Sequence, residues 1–124
     1  MWPFRKKVIP LGQRGEDLAC AYLKKQGYKI LDRNVRLARC EIDIVAQEHD
    51  TIAFVEVKTR GREGVCRPED SVGYTKQRHI VRAADCYMAR YPDRKYYVRF
   101  DVVAIVLADG KPPEIELLRD AFTA

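Results

Sequence analysis

From residue 11 the apolar positions recur at helical spacing. Leu11, Leu18, Ala19, Tyr22 and Leu23 form one stripe that runs to about Gln26, and Gly27 supplies a stop. Tyr28 to about Asn34 changes to a strand pattern, followed by a turn through Leu37 and Cys40. The stretch EIDIVAQEHDTIAFVEVK, Glu41 to Lys58, reads as two alternating strands around the polar turn Glu48-His49-Asp50. Folding about the bond between His49 and Asp50 puts Ile42, Ile44, Ala46, Ala53, Val55 and Val57 on one wholly apolar face. That face must be core. The other carries Glu41, Asp43, Val45, Gln47, Ile52, Phe54, Glu56 and Lys58. A Gly- and Arg-rich loop, TRGREGVCRPED, follows. A second helix is predicted from about Thr75 to Arg90, burying Ile80, Ala84, Tyr87 and Tyr91, with Pro92 as its stop. Val98 to Leu107, strongly β-prone, is the best candidate for a central strand. Asp109-Gly110-Lys111-Pro112-Pro113 turns the chain, and Glu114 to Leu118 closes it as a short strand. The order α-β-β-β-α-β-β predicts an α/β fold, a mixed central sheet flanked by helices.

Composition adds limits. With 124 residues, 47% apolar and 33% charged, the chain suits one globular domain, residues 11–124, preceded by a basic arm, residues 1–10. No run approaches the roughly 20 apolar residues of a membrane span. The start MWPFRKKVIPLG lacks the apolar stretch of a secretory leader, which points to the cytoplasm. Cys20, Cys40, Cys66 and Cys86 are widely spaced and form no C-x-x-C pair. They are expected to be reduced thiols, with Cys20 and Cys86 packed as small hydrophobes on helices. The net charge of +5 is uneven: the front of the chain and the segment 76–95 are basic, and the residues from Asp101 onward are acidic. This distribution fits either a polyanionic partner or a solubilising surface.

Candidate chemistry lies at the end of the hairpin. In the assumed register Asp43 faces Glu56 and Glu41 faces Lys58, with Cβ atoms roughly 5 Å apart. Facing carboxylates need a shared proton or a cation, and hard oxygen ligands suit Mg²⁺ or Mn²⁺. Lys58, two residues after Glu56, reaches the same face, where it would stabilise developing negative charge or orient water. The plainer alternative is a solvated face on which Glu41 pairs with Lys58, and Asp43 with Arg36 or Arg39. Glu16 borders the stripe of Ala19, Cys20 and Leu23; taken alone, it reads as an acid offsetting the helix dipole.

The segments GQRGEDLACAYLKKQGYKILDRN, CEIDIVA, FVEVKTR, TKQR and RFDVVAIV, in this order, resemble the YraN family of endonuclease-like bacterial proteins. That family is similar in turn to archaeal Holliday-junction resolvases and to the PD-(D/E)XK nuclease superfamily. The resemblance spans about Leu11 to the final Asp120-Ala121-Phe122 and implies a restriction-endonuclease-like core. It implies metal ligation by Asp43, Glu56 and the carbonyl of Val57, with Glu16 and Lys58 completing the catalytic set. The family's usual Gly before Glu-Ile-Asp is here Cys40, which would be strained if that position needs a positive φ.

A nuclease also needs cations for phosphates. Arg60, Arg62 and Arg67 follow Lys58, and Lys76, Arg78, His79 and Arg82 open the second helix. Lys76 and Gln77 are the foremost of these, because similar nucleases use a polar residue on that helix. Arg99 and Asp101 are expected to pair structurally. The resulting expectation is an Mg- or Mn-dependent endonuclease acting on DNA, with branched or structured DNA among its substrates. Its alternative is a non-catalytic nucleic-acid-binding or assembly module that keeps the nuclease fold. Resolvases of this fold act as dimers, so the resemblance raises a homodimer, although no residue in the sequence marks an interface.

Overall fold

The computed structural model describes residues 11–61, 72–92 and 95–124; the basic arm, Arg62, Cys66 and Arg67 lie outside them. Helix α1 (Leu11–Lys25) ends where Gly27 adopts a φ of +97°. The amide of Gly27 donates to Lys24 O and that of Tyr28 to Leu23 O, the paired bonds that close a helix over a left-handed glycine. Tyr28 is thereby folded into the core beside Leu23. Strand β1 (Lys29–Leu37) turns into β2 (Cys40–Glu48) through Ala38 and Arg39, both left-handed, with φ of +50° and +61°. A two-residue hairpin turn demands that geometry. The backbone strain therefore falls on these two residues, and Cys40 itself has no positive φ.

β2 pairs antiparallel with β3 (Thr51–Gly61) about the turn His49-Asp50, with Glu48 opposite Thr51 and Ile44 opposite Val55. This is the register that the alternation predicts. Helix α2 (Tyr74–Met88) then crosses over, and β4 (Tyr97–Leu107) lies parallel to β3 before β5 (Glu114–Phe122) returns antiparallel. The sheet order is β1-β2-β3-β4-β5. β3 lies in the middle, and β4, flanked by β3 and β5, is an interior strand as expected. The element order and the α/β class are as expected.

The expected polar face of the hairpin is largely a second core. Val45, Ile52 and Phe54 join Ile80, Ala83, Ala84 and Tyr87 of α2, together with Phe100 and Val102. The opposite face holds Ile44, Ala46, Ala53, Val55 and Val103 against Ala19, Cys20 and Leu23 of α1. A strand covered by a helix on both sides reads as a run of apolar residues, and IAFV from Ile52 to Val55 is such a run. Three smaller expectations also change. β5 extends to Phe122, whose ring stacks on Phe100 at 5.0 Å. Cys86 is exposed, whereas Cys20 is buried. Tyr91 falls beyond α2 and is 41% exposed, because the helix ends at Met88 and its inward face is already filled by Val81, Ala84 and Tyr87. Among the described residues, no helix is long and apolar enough to cross a membrane.

Gly15 sets how closely α1 approaches β3. A Cβ there would overlap Thr59 Oγ1 and come within 2.9 Å of Thr59 Cβ. Gly15→Ala should therefore lower unfolding stability by about 1–3 kcal/mol, the usual penalty of overpacking. Adding Thr59→Ala should recover part of that loss, and a pair of urea unfolding curves measures both.

Candidate functional site

The site forms where β2 and β3 part. Their ladder ends at Ile44 opposite Val55. Beyond that pair Asp43 takes over the role of a strand neighbour: its Oδ2 accepts the backbone N–H of Val57 at 2.8 Å. The roll of β2 at this point also explains a departure from simple alternation. Ile42 packs on the α2 side with Val45, while Ile44 packs on the α1 side with Ala46.

Asp43 and Glu56 come together, as their predicted juxtaposition requires. Their carboxyl groups interact directly, a contact that favours the proton on Glu56 over Asp43. Glu56 is only 7% exposed. Lys58 Nζ and Lys76 Nζ approach its Oε1 at 3.9 and 3.8 Å, one lysine from β3 and the other from the first turn of α2. Burial, then the neighbouring Asp43 charge, pushes the Glu56 carboxyl up to about 7 against the pull of the two lysines. Burial also raises Asp43, although the Val57 N–H and Lys76 oppose that shift. Both residues therefore resist carrying full negative charge without a cation beside them.

Glu16 lies close enough to feel this pair. Burial, followed by the Asp43 charge, raises its carboxyl above the ordinary value. Its direct partner is Asn34 of β1. With its amide nitrogen turned toward the acids, Asn34 donates to Glu16 Oε1 at 2.7 Å and to Glu41 Oε1 at 3.2 Å. Asn34 has a φ of +52° and sits between the residues that pair with Ile44 and Ile42, hence across from Asp43. Asparagine enters the left-handed region more readily than most residues. Among the described residues, no group of three or more His, Cys, Asp or Glu is arranged to hold a metal ion. The donors that the site brings together are the two carboxylates, with Glu16 held beside them by Asn34.

The remaining predicted residues are placed unevenly. Arg60 is half-buried and donates to Thr59 O at 3.1 Å. Gln77 donates its side-chain amide to Val72 O at 2.9 Å and so secures the entry to α2. Arg78, His79 and Arg82 are exposed on α2. Arg99 pairs with the fully buried Asp101 at 2.9 Å, as expected, within a network that also contains Tyr28 and Glu48. Sequence reasoning missed Asn34, although an asparagine interrupting a strand pattern is a signal for a left-handed position. It also assigned Lys76 to phosphates, without anticipating its approach to Glu56.

The raised Glu56 carboxyl gives a signed prediction. The native state holds this proton to about pH 7, whereas the ordinary value is 4.5. The native state thus binds more protons than the unfolded chain across that window, and stability of the metal-free chain falls as pH rises through it. Glu56→Gln should remove this loss, gaining about 3 kcal/mol near pH 8 and nothing below the window. Urea unfolding in a chelating buffer across the pH range reads the difference.

Comparison with known proteins follows the same boundaries. Residues 15–105 match the model of the family described as "Uncharacterised protein family UPF0102". A UPF0102 protein of Rhodococcus opacus is 45% identical over 114 residues, covering 92% of this chain and 97% of that protein. Another, from Geobacter sulfurreducens, is 46% identical over 112 residues, covering 90% and 88%. A third, from Chlorobium phaeobacteroides, is 43% identical over 119 residues, covering 92% and 94%. With the match beginning at the glycine that seats α1 and running through both strands of the acid pair to β4, the chain belongs to the UPF0102 family.

Proposed function

We propose that this protein is a divalent-metal-dependent nuclease that hydrolyses phosphodiester bonds in DNA, with branched or structured DNA among its substrates. The observation that carries this reading is the pair of half-buried Asp43 and buried Glu56 at the end of the β2–β3 ladder, with Lys58 and Lys76 beside it. Two carboxylates in a place that disfavours their charge form a poor structural pair and a good holder for a hard cation. Asp43, Glu56 and the Val57 carbonyl would hold Mg²⁺ or Mn²⁺. A bound ion of this kind supplies Lewis-acid polarisation of the phosphate and activation of water.

The chain's own groups do the rest. Asp43 and Glu56 would give up the proton held at Glu56 on taking a cation, so a proton would be released near neutral pH. Lys58 is placed to neutralise charge on the phosphoryl oxygens as the nucleophile adds. Lys76 brings a second positive charge from α2, while Arg78 and Arg82, one turn apart on the outer side of that helix, offer charge for more distant phosphates. Glu16, held by Asn34, borders the pair as a further acid.

A second reading has one observation in its favour. Arg78, His79 and Arg82 are exposed on α2, and such cations hold phosphates without any chemistry, which suits a module that binds nucleic acid without cutting it. Calorimetric titration of Mn²⁺ into wild type and Asp43→Asn, followed by a panel of labelled linear, flapped and four-way DNAs, separates the two. The nuclease reading expects saturable Mn²⁺ binding with proton release and cleavage, both lost in the variant. DNA binding without cleavage, equal in both proteins, supports the binding module.

A further inference from the structure

At the end of α2 away from Lys76, a cavity of about 190 Å³ opens between helix and sheet. Lys29 and Gln47, a cross-strand pair, line it together with Ile52, Tyr87, Tyr91 and Tyr96. Tyr87 is locked in place: its hydroxyl donates to Asp32 Oδ2 at 2.7 Å, and its ring meets Phe54 edge-on at 5.6 Å. Arg90 lies against the same ring, 5.2 Å from its centroid. Tyr91 is tilted 45° to Tyr87 with centroids 5.9 Å apart, and it remains 41% exposed. Gln47 is steadied by donating its side-chain amide to His49 O at 2.8 Å. The cavity thus presents an immobile aromatic wall, an open ring, a carboxamide and an exposed ammonium.

We propose that this cavity receives the base of an unpaired nucleotide, stacked on Tyr91, with its phosphate on Lys29. The volume suits one planar ring system and falls below the several hundred Å³ typical of pockets for larger ligands. Aromatic faces bind bases through stacking whatever their sequence, and a cation beside them takes the phosphate. Position supports the assignment. Ile52 lines the cavity, and Glu56 lies four residues along the same strand. That spacing is about 13 Å at roughly 3.3 Å per residue, the length of about four stacked nucleotides. The inference rests on the proposed function only for the class of polymer involved.

The test is an amide and side-chain NMR titration of the full-length protein in metal-free, chelating buffer. The probes are 2′-deoxyadenosine 5′-monophosphate and, separately, inorganic phosphate. The nucleotide should shift the Gln47 side-chain amide and the Tyr91 and Tyr96 resonances saturably, and phosphate alone should not reproduce those shifts. Tyr91→Ala should weaken nucleotide binding roughly fivefold or more, as loss of a base–aromatic stack does. Lys29→Ala should weaken the nucleotide as well. Tyr74→Ala, a 74% exposed tyrosine at the other end of α2, should leave binding unchanged. No saturable response, or a response untouched by Tyr91→Ala, overturns the assignment. Because the buffer holds no cation, the outcome is separable from catalysis. Cleavage of DNA without a nucleotide response removes the cavity alone, and a nucleotide response without cleavage keeps the cavity and removes the nuclease.

Discussion

Asp43→Asn should leave the protein folded and abolish DNA cleavage, lowering the rate by about 10³-fold or more, as loss of a metal-holding carboxylate does. The choice of asparagine matters. Asp43 has a structural duty as well as a chemical one, because its Oδ2 accepts the Val57 N–H where the strand ladder has ended. An alanine would strand that buried donor, at a cost of about 1–3 kcal/mol. Asparagine retains a carbonyl oxygen for the bond and removes the charge that raises Glu56. Stability above neutral pH should therefore hold or rise while activity is lost. Lys58→Ala should be comparably inactive, about 10²- to 10⁴-fold down, yet should still bind Mn²⁺, because Lys58 donates nothing to the ion. Single-turnover cleavage together with calorimetry distinguishes the two variants. Undiminished cleavage in Asp43→Asn removes the proposed mechanism.

The largest loss of stability should come from Arg99→Leu. Asp101 is fully buried and accepts hydrogen bonds from Arg99 Nε at 2.9 Å, from the Tyr28 hydroxyl at 2.9 Å and from the Asp120 amide at 2.9 Å. Arg99 also reaches Glu48 at 2.8 Å. Deleting the guanidinium leaves a buried carboxylate without its counter-charge, and such deletions cost about 3–5 kcal/mol. Arg99→Leu combined with Asp101→Leu should be less damaging than the sum of the two single changes, because the orphaned charge is gone. Arg119→Ala is the control. Arg119 binds Glu48 at 2.8 Å from a side chain that is 43% exposed, so its loss should cost no more than about 1 kcal/mol. Urea unfolding of the four variants tests the ordering, and an Arg99→Leu effect no larger than that of Arg119→Ala contradicts it.

Both of these centres were partly legible in the sequence. The alternation of EIDIVAQE and TIAFVEVK fixed the hairpin and its His49-Asp50 turn, and with them the meeting of residues 43 and 56. Period-two patterning is strict, since a slip of one residue would turn every core side chain outward. What alternation does not contain is the cover over each face. Ile52, Phe54 and Val45 share the face of Asp43 and Glu56, and only the placement of α2 makes that face a core with a polar end. Strand order is likewise a tertiary fact: the apolar run of β4 suits any buried position, and the antiparallel β5 beyond it leaves β3 in the middle. The left-handed turn at Asn34 had a local signal, but its role was illegible for a different reason. Its function depends on Glu16 arriving from α1 and Glu41 from β2, two contacts that no local pattern encodes.

The parallel seam between β3 and β4 has a consequence for how the protein is made. β1, β2 and β3 are joined by two-residue turns and meet neighbours adjacent in sequence, whereas Thr51 of β3 waits for Tyr97. Local hairpins close quickly, and distant strand pairings close late. A growing chain therefore presents a finished three-stranded meander whose newest strand carries Ile52, Phe54 and Val55 beside an open hydrogen-bonding edge. Such an edge is a site for pairing with another chain until its own partner emerges. During synthesis, the strand that carries Glu56 and Lys58 is the one most in need of a chaperone.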